Sequence, residues 1–403
     1  MTKIIHRLLF SLVGLVLCGM PQTGQSQSVY SALGIGEIQG KPEARLDGLG
    51  GAGTALRDSL ILMVENPAMP ASINQTRFSI SGRYHWLDIE DNVTSDIRDY
   101  ADFKGFALAV PVYGHWTISA GVGPYTIARA QWFFSRRFEN MAYEEQYKVS
   151  GGISRILFGI AIPVDKRLQI GGGVRALFGT VDQLLTINFI SSLYRDAQYR
   201  NRLNVKSIGM TGGAVWEFIP GWSIGGYYYS KQHGDGELDF AYLDSDSIRT
   251  TNGTIKLPAS LGIGASGRVR PRLRIVGDVF WTQWKDAAIS LDQHLELADT
   301  WKLMAGAEIQ PVFGGLESFL NRLYYRIGFS TENLYVENEN GKTPRQTMVH
   351  AGLGIPLQGG QRRLDIAFQW GIRGDISEFG ARETVVGFSL SFESSEKWFV
   401  RHK

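Results

Sequence analysis

A chain of 403 residues with 41 Lys and Arg against 39 Asp and Glu is close to electroneutral, which excludes the basic surface of a nucleic-acid-binding protein. Its single cysteine, Cys18, excludes an internal disulfide framework. The 48 Gly, with aromatic residues at 12% and hydrophobic residues at only 44%, fit a transmembrane β-barrel better than a soluble enzyme: aromatics for the interfaces, glycines for curvature, polar side chains for the lumen.

The amino terminus reads as a secretory signal. Lys3, His6 and Arg7 form a basic region, Leu8 to Leu17 is apolar apart from Ser11, and a polar stretch, "PQTGQSQS", follows. Gly24 and Ser26 stand at −3 and −1 of a cleavage site, with Ser26 and Ser28 as the alternative, so residues 1–26 are expected to be removed. The apolar run is too short for a permanent membrane helix. Leu17 precedes Cys18 where a lipoprotein signal needs a small residue, so Cys18 is expected to leave with the signal. Cleavage also removes Lys3 and Arg7, which brings Lys and Arg from 41 to 39, equal to Asp and Glu.

Residues 27–76 are Gly/Ala-rich and centre on "GLGGAGTALRDSLILMVENPAMPAS". Gly48, Gly50 and Gly53 match the G-x-G-x-x-G spacing of a dinucleotide-binding turn. That fold needs a strand before the glycines and a parallel βαβ unit around them. The preceding "YSALGIGEIQGKPEARLD" has no strand pattern, and antiparallel hairpins follow. The alternative is a plug, in which Gly48, Gly50, Gly51 and Gly53 allow close packing against a surrounding wall. Asn66-Pro67 is a turn signal able to cap a short helical piece.

From Arg77 the hydrophobic period is two. In "RFSISGRYHW", Phe78, Ile80, Gly82, Tyr84 and Trp86 share one face and Ser79, Ser81, Arg83 and His85 the other. The pattern recurs to residue 393 and gives about fourteen strands. Tight connections (YGH, PVDKR, IPGW, VRPR, PLQGGQR) alternate with longer polar ones, Asp88–Asp102, Ala128–Glu144 and Asp286–Thr300. This is the signature of short periplasmic turns and long outer loops. An even strand count returns both barrel ends to the periplasm. In the last strand, "ETVVGFSLSF", Val386, Phe388, Leu390 and Phe392 are expected to face lipid, and Gly387, Ser389 and Ser391 the lumen. A final strand ending in an aromatic is the signal expected by the barrel assembly machinery. Residues 394–403 form a periplasmic tail with Trp398 and Phe399 at the interface. The predicted organisation is a signal peptide at 1–26, a hatch at 27–76, an all-β transmembrane antiparallel barrel at 77–393 and a tail at 394–403, in a bacterial outer membrane.

Here the chain resembles a known family. "LDGLGGAGTAL…VENPA" is similar to the amino-terminal hatch of the FadL/TodX family, whose members carry long-chain fatty acids and aromatic hydrocarbons across outer membranes. Asn66, Pro67 and Ala68 match its Asn-Pro-Ala motif. "YSALGIGE", "VSGGISRILFGIAI", "KLPASLGIGAS", "GLGIPLQGG" and "FQWGIRGD" read like the FadL-like proteins of Bacteroidetes. The resemblance implies a fourteen-stranded barrel plugged by the hatch, with hydrophobic small molecules as cargo. The group also borders PorV-type barrels, which serve a protein-secretion system.

Two stretches are candidates for function. In "SAGVGPYTIA" a proline removes a ladder donor and Gly121 and Gly123 weaken pairing further, so Pro124 marks a kink, a bulge or a gap. The resemblance implies a lateral gate there, through which cargo leaves into the membrane. The bland alternative is that Pro124 lies beyond the hydrocarbon. In "ARAQWFFSRRF", Trp132, Phe133 and Phe134 offer an apolar surface, and Arg136 and Arg137 a carboxylate clamp. The alternative is an interface girdle whose arginines meet lipopolysaccharide phosphates. Arg83, Arg155, Arg175 and Glu217, on lumen faces, read as contacts between wall and plug. No histidine sits in a serine-hydrolase motif, and no His/Cys/Asp/Glu cluster has metal-ligand spacing. The expectation is therefore a non-enzymatic channel without cofactor for passive uptake of fatty acids or hydrocarbons with lateral release. The alternative is a PorV-like barrel that docks a secretion partner.

Overall fold

The computed structural model describes residues 28–112, 116–138, 141–191, 193–242, 248–288, 296–312, 318–357 and 361–397, without the side chains of 235–254. The signal peptide, Cys18, His115, His294, Trp398, Phe399 and His402 lie outside these residues. A two-residue strand, β1 (Glu37–Ile38), belongs to the amino-terminal segment. The wall begins with β2 (Thr76–Asp91), β3 (Ser95–Pro111), β4 (Thr117–Ile127) and β5 (Ala130–Phe138). It continues through β6 (Met141–Pro163), β7 (Leu168–Phe189), β8 (Ala197–Ile219), β9 (Trp222–Tyr229) and β10 (Gln232–Tyr242). The second half comprises β11 (Ile248–Leu257), β12 (Ser260–Arg268), β13 (Leu273–Thr282), β14 (Thr300–Ile309) and β15 (Tyr324–Asn333). Three strands complete it: β16 (Arg345–Leu357), β17 (Arg362–Asp375) and β18 (Ala381–Glu396).

Three crossings are each built from two segments, β4 with β5, β9 with β10 and β11 with β12, so the closed antiparallel barrel has 14 strands. Closure runs through β18 and β2, paired from Ala381↔Asp91 to Glu396↔Thr76. With no edge left there, the backbone groups of both strands are satisfied within the sheet, as hydrocarbon requires. The expected alternation in β18 is present: Gly387, Ser389 and Ser391 are buried inward, while Phe388 and Leu390 are exposed outward.

Some connections differ from expectation. Most of Asp88–Asp102 and Ala128–Glu144, expected as loops, is strand. The charges in these stretches do not oppose pairing once the hairpins stand above hydrocarbon, where either face of a strand is solvated. Conversely, two stretches of the expected strand pattern are interrupted, at Ser230–Lys231 and at Pro258–Ala259. The barrel is also asymmetric. β6, β7 and β8 run 23, 22 and 23 residues, about twice the 9–11 needed to cross hydrocarbon, whereas β13, β14 and β15 have 10 each.

Residues 28–75 lie inside the barrel and touch its wall around the circumference. β1 itself was not expected from sequence. Its strand conformation comes from pairing with β4, Glu37↔Ile127 and Ile38↔Thr126. One helical turn, Ala44–Asp47, leads into the glycine stretch. Those glycines answer the phosphate question by their neighbours. Gly50, at φ 72°, crosses the backbone of Phe329 so closely that a Cβ would lie 2.5 Å from its carbonyl oxygen. On the facing strand, a Cβ on Gly328 would lie 2.2 Å from the Gly50 nitrogen. Asn66 and Pro67 pack the same way against Gly213 and Gly171. The apolar core sits at this interface: Leu46, Leu49, Leu56, Ile61, Leu62 and Met63 are fully buried.

Gly328→Val places a branched side chain where Leu49 and Gly50 pass. The barrel should still close but leave the amino-terminal segment unseated, read as tryptic cleavage at Arg45 in the folded protein. Gly40→Ala, at a position with no neighbour within 4 Å, should remain protected.

Candidate functional site: a charged cavity behind a break in the wall

The wall strands carry charge at inward positions, and the amino-terminal segment answers with charge of its own. Arg45, fully buried, donates to Glu308 on β14 at 2.9 and 2.8 Å and to Asp58 at 2.7 Å. Glu308 also accepts from Arg326 on β15 at 2.8 Å. Arg326 reaches Asp365 on β17 at 2.7 Å, and Arg363 joins Asp365 to Glu393 on β18, at 2.5 and 2.9 Å. The Tyr324 ring sits within 5.9 Å of the Arg45, Arg326 and Arg363 guanidinium carbons. Charges this deep are tolerable only when paired and hydrogen-bonded.

Two further clusters clamp the segment elsewhere. One oxygen of Asp278 on β13 accepts from the Gly53 and Thr54 amides at 2.8 and 2.9 Å and from the Thr54 hydroxyl at 2.7 Å. Arg373 on β17 binds Glu37 of β1 at 2.7 Å and Glu383 of β18 at 3.2 Å, and Glu383 accepts from Val29 N at 2.6 Å. Lys104 pairs with Asp47. It is the extra residue of a bulge in β3, where the register with β2 shifts between Ser81 and Gly82. A bulge is a standard means of re-aiming one side chain.

Within the segment, protonation follows surroundings. Burial raises Asp58, but Arg45 and Arg274 outweigh it and hold the carboxyl below its ordinary value. Burial, together with the neighbouring Glu393, pushes the Glu43 carboxyl well above its ordinary value.

A cavity of about 220 Å³ lies between segment and wall. Its lining is strongly charged: Arg83, Lys104, Arg155, Arg175, Lys302 and Arg373 from the wall, with Lys41 from the segment. Four carboxylates line it with them, Glu37, Asp47, Glu65 and Glu332, and Asp278, Asp102 and Glu383 pair with Lys41, Arg83 and Arg373. Beside Arg175 a run of rings forms the apolar part, with Phe280 stacked on Tyr227 at 6.0 Å and Tyr227 edge-on to Tyr229 at 5.5 Å.

The wall is discontinuous next to this cavity. β4 pairs with β3 only from Pro111↔Thr117 to Phe106↔Val122. Beyond Val122 it turns inward while keeping β6, through Pro124↔Ser154 and a register shift that leaves Tyr125 unpaired before Thr126↔Ile153. Gly123 passes so close to β3 that a Cβ would lie 2.6 Å from the Lys104 carbonyl oxygen, and a Cβ on Gly121 would meet Val64 at 2.7 Å. The partner lost from β3 is replaced by the segment: β1 pairs with Thr126 and Ile127, and Gln39 N donates to Tyr125 O at 2.9 Å. Among the described residues, Ser95–Gly105 of β3 has a ladder only with β2, and β5 only with β6. Arg129 and Asp102 approach to 3.9 Å at the foot of this break.

The five candidate capture residues do not converge. They lie on strand β5 rather than on a loop, and alternation divides them. Trp132, Phe134 and Arg136 share one face. Trp132 stacks on Tyr147 at 5.6 Å, and the Arg136 guanidinium lies 5.0 Å from the Phe134 ring and donates to Glu145 at 3.3 Å. Phe133, 69% exposed, and Arg137 face the other way. Of the lumen charges, Arg155 donates to Gly40 O at 2.8 Å and Glu217 accepts from Arg57 at 2.6 Å, both joining wall to segment. Arg83 instead meets Asp102 within the wall. The carboxylates Glu308, Asp278, Asp365 and Glu393 were missed from sequence. Their signal was acidic residues at inward positions of strands. Among the described residues no group of His, Cys, Asp and Glu is arranged to hold a metal, and no helix is long and apolar enough to cross a membrane.

The fold is that of the FadL-type hydrophobic-compound barrels. The toluene transporter TbuX of Ralstonia pickettii is 14% identical, with 89% of this chain and 99% of that one covered at a TM-score of 0.58. A FadL homologue from Pseudomonas aeruginosa is 12% identical, with 90% and 99% covered and a TM-score of 0.58. The toluene transporter TodX of P. putida is 14% identical, with 90% and 99% covered and a TM-score of 0.56. No curated protein sequence matches. A family model described as BamG matches residues 1–219 and 228–403, and the chain belongs to that family.

Glu308→Ala leaves Arg45 and Arg326 buried without their shared partner and should cost about 3–5 kcal/mol, measured as a fall in the denaturant midpoint for loss of the folded gel mobility. Glu43→Gln keeps the neutral form that the site favours. Because the folded-state value is raised, the wild type loses stability relative to this variant as pH rises above the ordinary carboxylate range. Thermal midpoints should therefore favour the variant at pH 8 and converge near pH 4.

Proposed function

We propose that this member of the BamG family is a passive outer-membrane channel that admits hydrophobic molecules, fatty acids or hydrocarbons, and releases them sideways into the membrane. The observation that carries this reading is the break above Val122, where β4 exchanges its wall partner for β1. A route between the free sides of β3 and β5 lets an apolar body pass from lumen to lipid without crossing water. Withdrawal of β1 from Thr126 and Ile127 would open the cavity to it. Two of the similar barrels are described as toluene transporters, which supports the cargo class. Under the same reading, Trp132 and Phe134 form an outer apolar surface, Arg136 and Arg137 meet carboxylate cargo or lipopolysaccharide phosphate, and β18 is read by barrel assembly machinery.

A second reading, a barrel that docks another protein, is favoured by a separate observation. The raised side carries exposed apolar residues at its outer end, Phe133, Phe138, Ile190 and Leu193, the last 87% exposed, and such patches mark interaction sites. The segment beneath is anchored by paired charges in addition to its apolar contact with the wall.

Asp102→Cys with Arg129→Cys, bridged by a bismaleimide, straps the break. Uptake of a fluorescent long-chain fatty acid into cells carrying the strapped barrel should fall to the level of cells lacking it, and the unbridged double variant should restore it. Uptake that survives the strap removes the lateral route. If the intact barrel supports no uptake but isolates with a stoichiometric protein partner, the docking reading takes its place.

A further inference from the structure

Two outer connections meet above the amino-terminal segment: 283–288 with 296–299, between β13 and β14, and 334–344, between β15 and β16. They are tied together by their backbones, with Ala298 N donating to Tyr335 O at 2.8 Å and Glu337 N to Glu296 O at 3.0 Å. Trp284, at the start of a short 3-10 turn, stacks on Tyr335 with ring centroids 4.5 Å apart and planes inclined by 26°. Both rings are buried although they belong to loops. The stack fixes the Tyr335 ring by its face and leaves the hydroxyl to find its own partner. That partner is the segment. The hydroxyl accepts from Ile35 N at 3.1 Å and lies 2.8 Å from the carbonyl oxygens of both Leu33 and Gly36.

Those three groups form the turn that leads into β1, and the turn needs support from outside itself. Gly34 and Gly36 take φ of 56° and 100°, and fixing glycine costs more backbone entropy than fixing any other residue. β1 is two residues long, and so short a pairing has little stability of its own. Apolar packing follows the same line: Trp284 and Tyr335 share one core with Ala32 and Ile35 of the segment and with Tyr125 and Ala128 where β4 has turned inward. Two side chains hold the amino-terminal end of β1. Arg373 stands on the wall strand β17, whereas Tyr335 stands on a loop, so only the second can transmit an event outside the barrel. We propose that Tyr335 is a positioning residue that couples the outer loops to the break in the wall. While Trp284 holds its ring, its hydroxyl holds the turn at 33–36, and β1 stays on Thr126 and Ile127. Displacement of the two loops by a molecule arriving from outside carries the hydroxyl away and frees β1. The proposal rests on the uptake reading and adds to it what releases the hatch.

Hydrogen–deuterium exchange of the purified full-length barrel, read by mass spectrometry, tests the coupling without any cargo. Tyr335→Phe keeps the ring and its stack and removes the hydroxyl. The amides of 35–39 and 126–127 should then exchange about tenfold faster, the change expected when a buried hydrogen bond is lost, while those of 46–64 keep their rates. Trp284→Ala keeps the hydroxyl but frees the ring, and it should speed exchange at the same two places. A merely structural role would speed exchange throughout 28–75 in step with a lower thermal midpoint. That result overturns the proposal, as does unchanged exchange at 35–39 in Tyr335→Phe. In cells, Tyr335→Phe should also raise the initial rate of fluorescent fatty-acid uptake, and an unchanged rate beside a loosened β1 overturns the part of Tyr335 in uptake. Faster exchange at β1 with no uptake by wild type or variant removes the uptake reading and leaves the coupling of loops to β1 standing. If Trp284→Ala fails to fold, Tyr335→Phe, which removes one oxygen, decides alone.

Discussion

Closing a sheet of fourteen strands satisfies the backbone in hydrocarbon but leaves a lumen too wide for wall side chains to fill. Nearly everything else in this molecule follows from how that space is occupied. Residues 28–75 fill it, and they do so by two unlike devices. Where the segment runs against the wall, glycine faces backbone: Gly50 against Phe329, Gly328 against Gly50, Gly171 against Pro67. Where it stands off, charge reaches across: Arg45 to Glu308, Arg373 to Glu37, Asp278 to the Gly53 and Thr54 amides. The first device sets distance and the second sets register. A buried pair adds little net stability over a hydrophobic contact, yet breaking one is costly. Such contacts fix where a plug sits better than they fix how tightly it is held.

The same economy of backbone partners explains the break in the wall. β4 cannot continue beside β3 past Val122 once Pro124 has removed a donor and Tyr125 has slipped the register with β6. The bulge at Lys104 bends the opposite strand at a matching height and points its ammonium at Asp47. The backbone of β4 is then completed by β1, so the segment seals the stretch of strand that has lost β3. Hatch and wall break are thus one hydrogen-bonded unit. The amino-terminal end of β1 is held by Arg373, which binds Glu37, and by Tyr335, whose hydroxyl lies 2.8 Å from the carbonyl oxygens of both Leu33 and Gly36 and shares its one proton between them. Movement of the hatch at β1 must change the pairing of β4.

The barrel was legible because its signal is periodic. Phe388 and Leu390 against Ser389 and Ser391 is a pattern that one residue of slip would invert. The close packing of the segment's glycines against the wall was legible as composition, and Asn66-Pro67 as a turn. The Asn66 side chain accepts from Ala68 N at 3.1 Å and donates to Thr54 O at 2.9 Å. What could not be read was pairing between distant positions. Nothing local distinguishes Glu308, which meets Arg45, from a solvated acid. β1 is two residues long and exists only because β4 turns inward. The capture stretch is divided between two faces for a related reason. "QWFFSRR" looks like one surface when read along the chain, and strand pairing with β6 sends alternate residues to opposite faces.

Arg175 shows how the same inward charge can take another meaning. By position it belongs with Arg155 and Glu217, which join wall to segment. The segment meets Arg155 with Gly40 and Glu65 and offers Arg175 nothing, while Tyr229 and Tyr125 cover its face. Tyr229 in turn gives its hydroxyl to the Glu65 carbonyl at 2.9 Å, so the rings that cover Arg175 are themselves fixed by the segment. A buried cation must be met by something, and along this wall it is met by a carboxylate, a carbonyl or a ring according to what the segment brings past it.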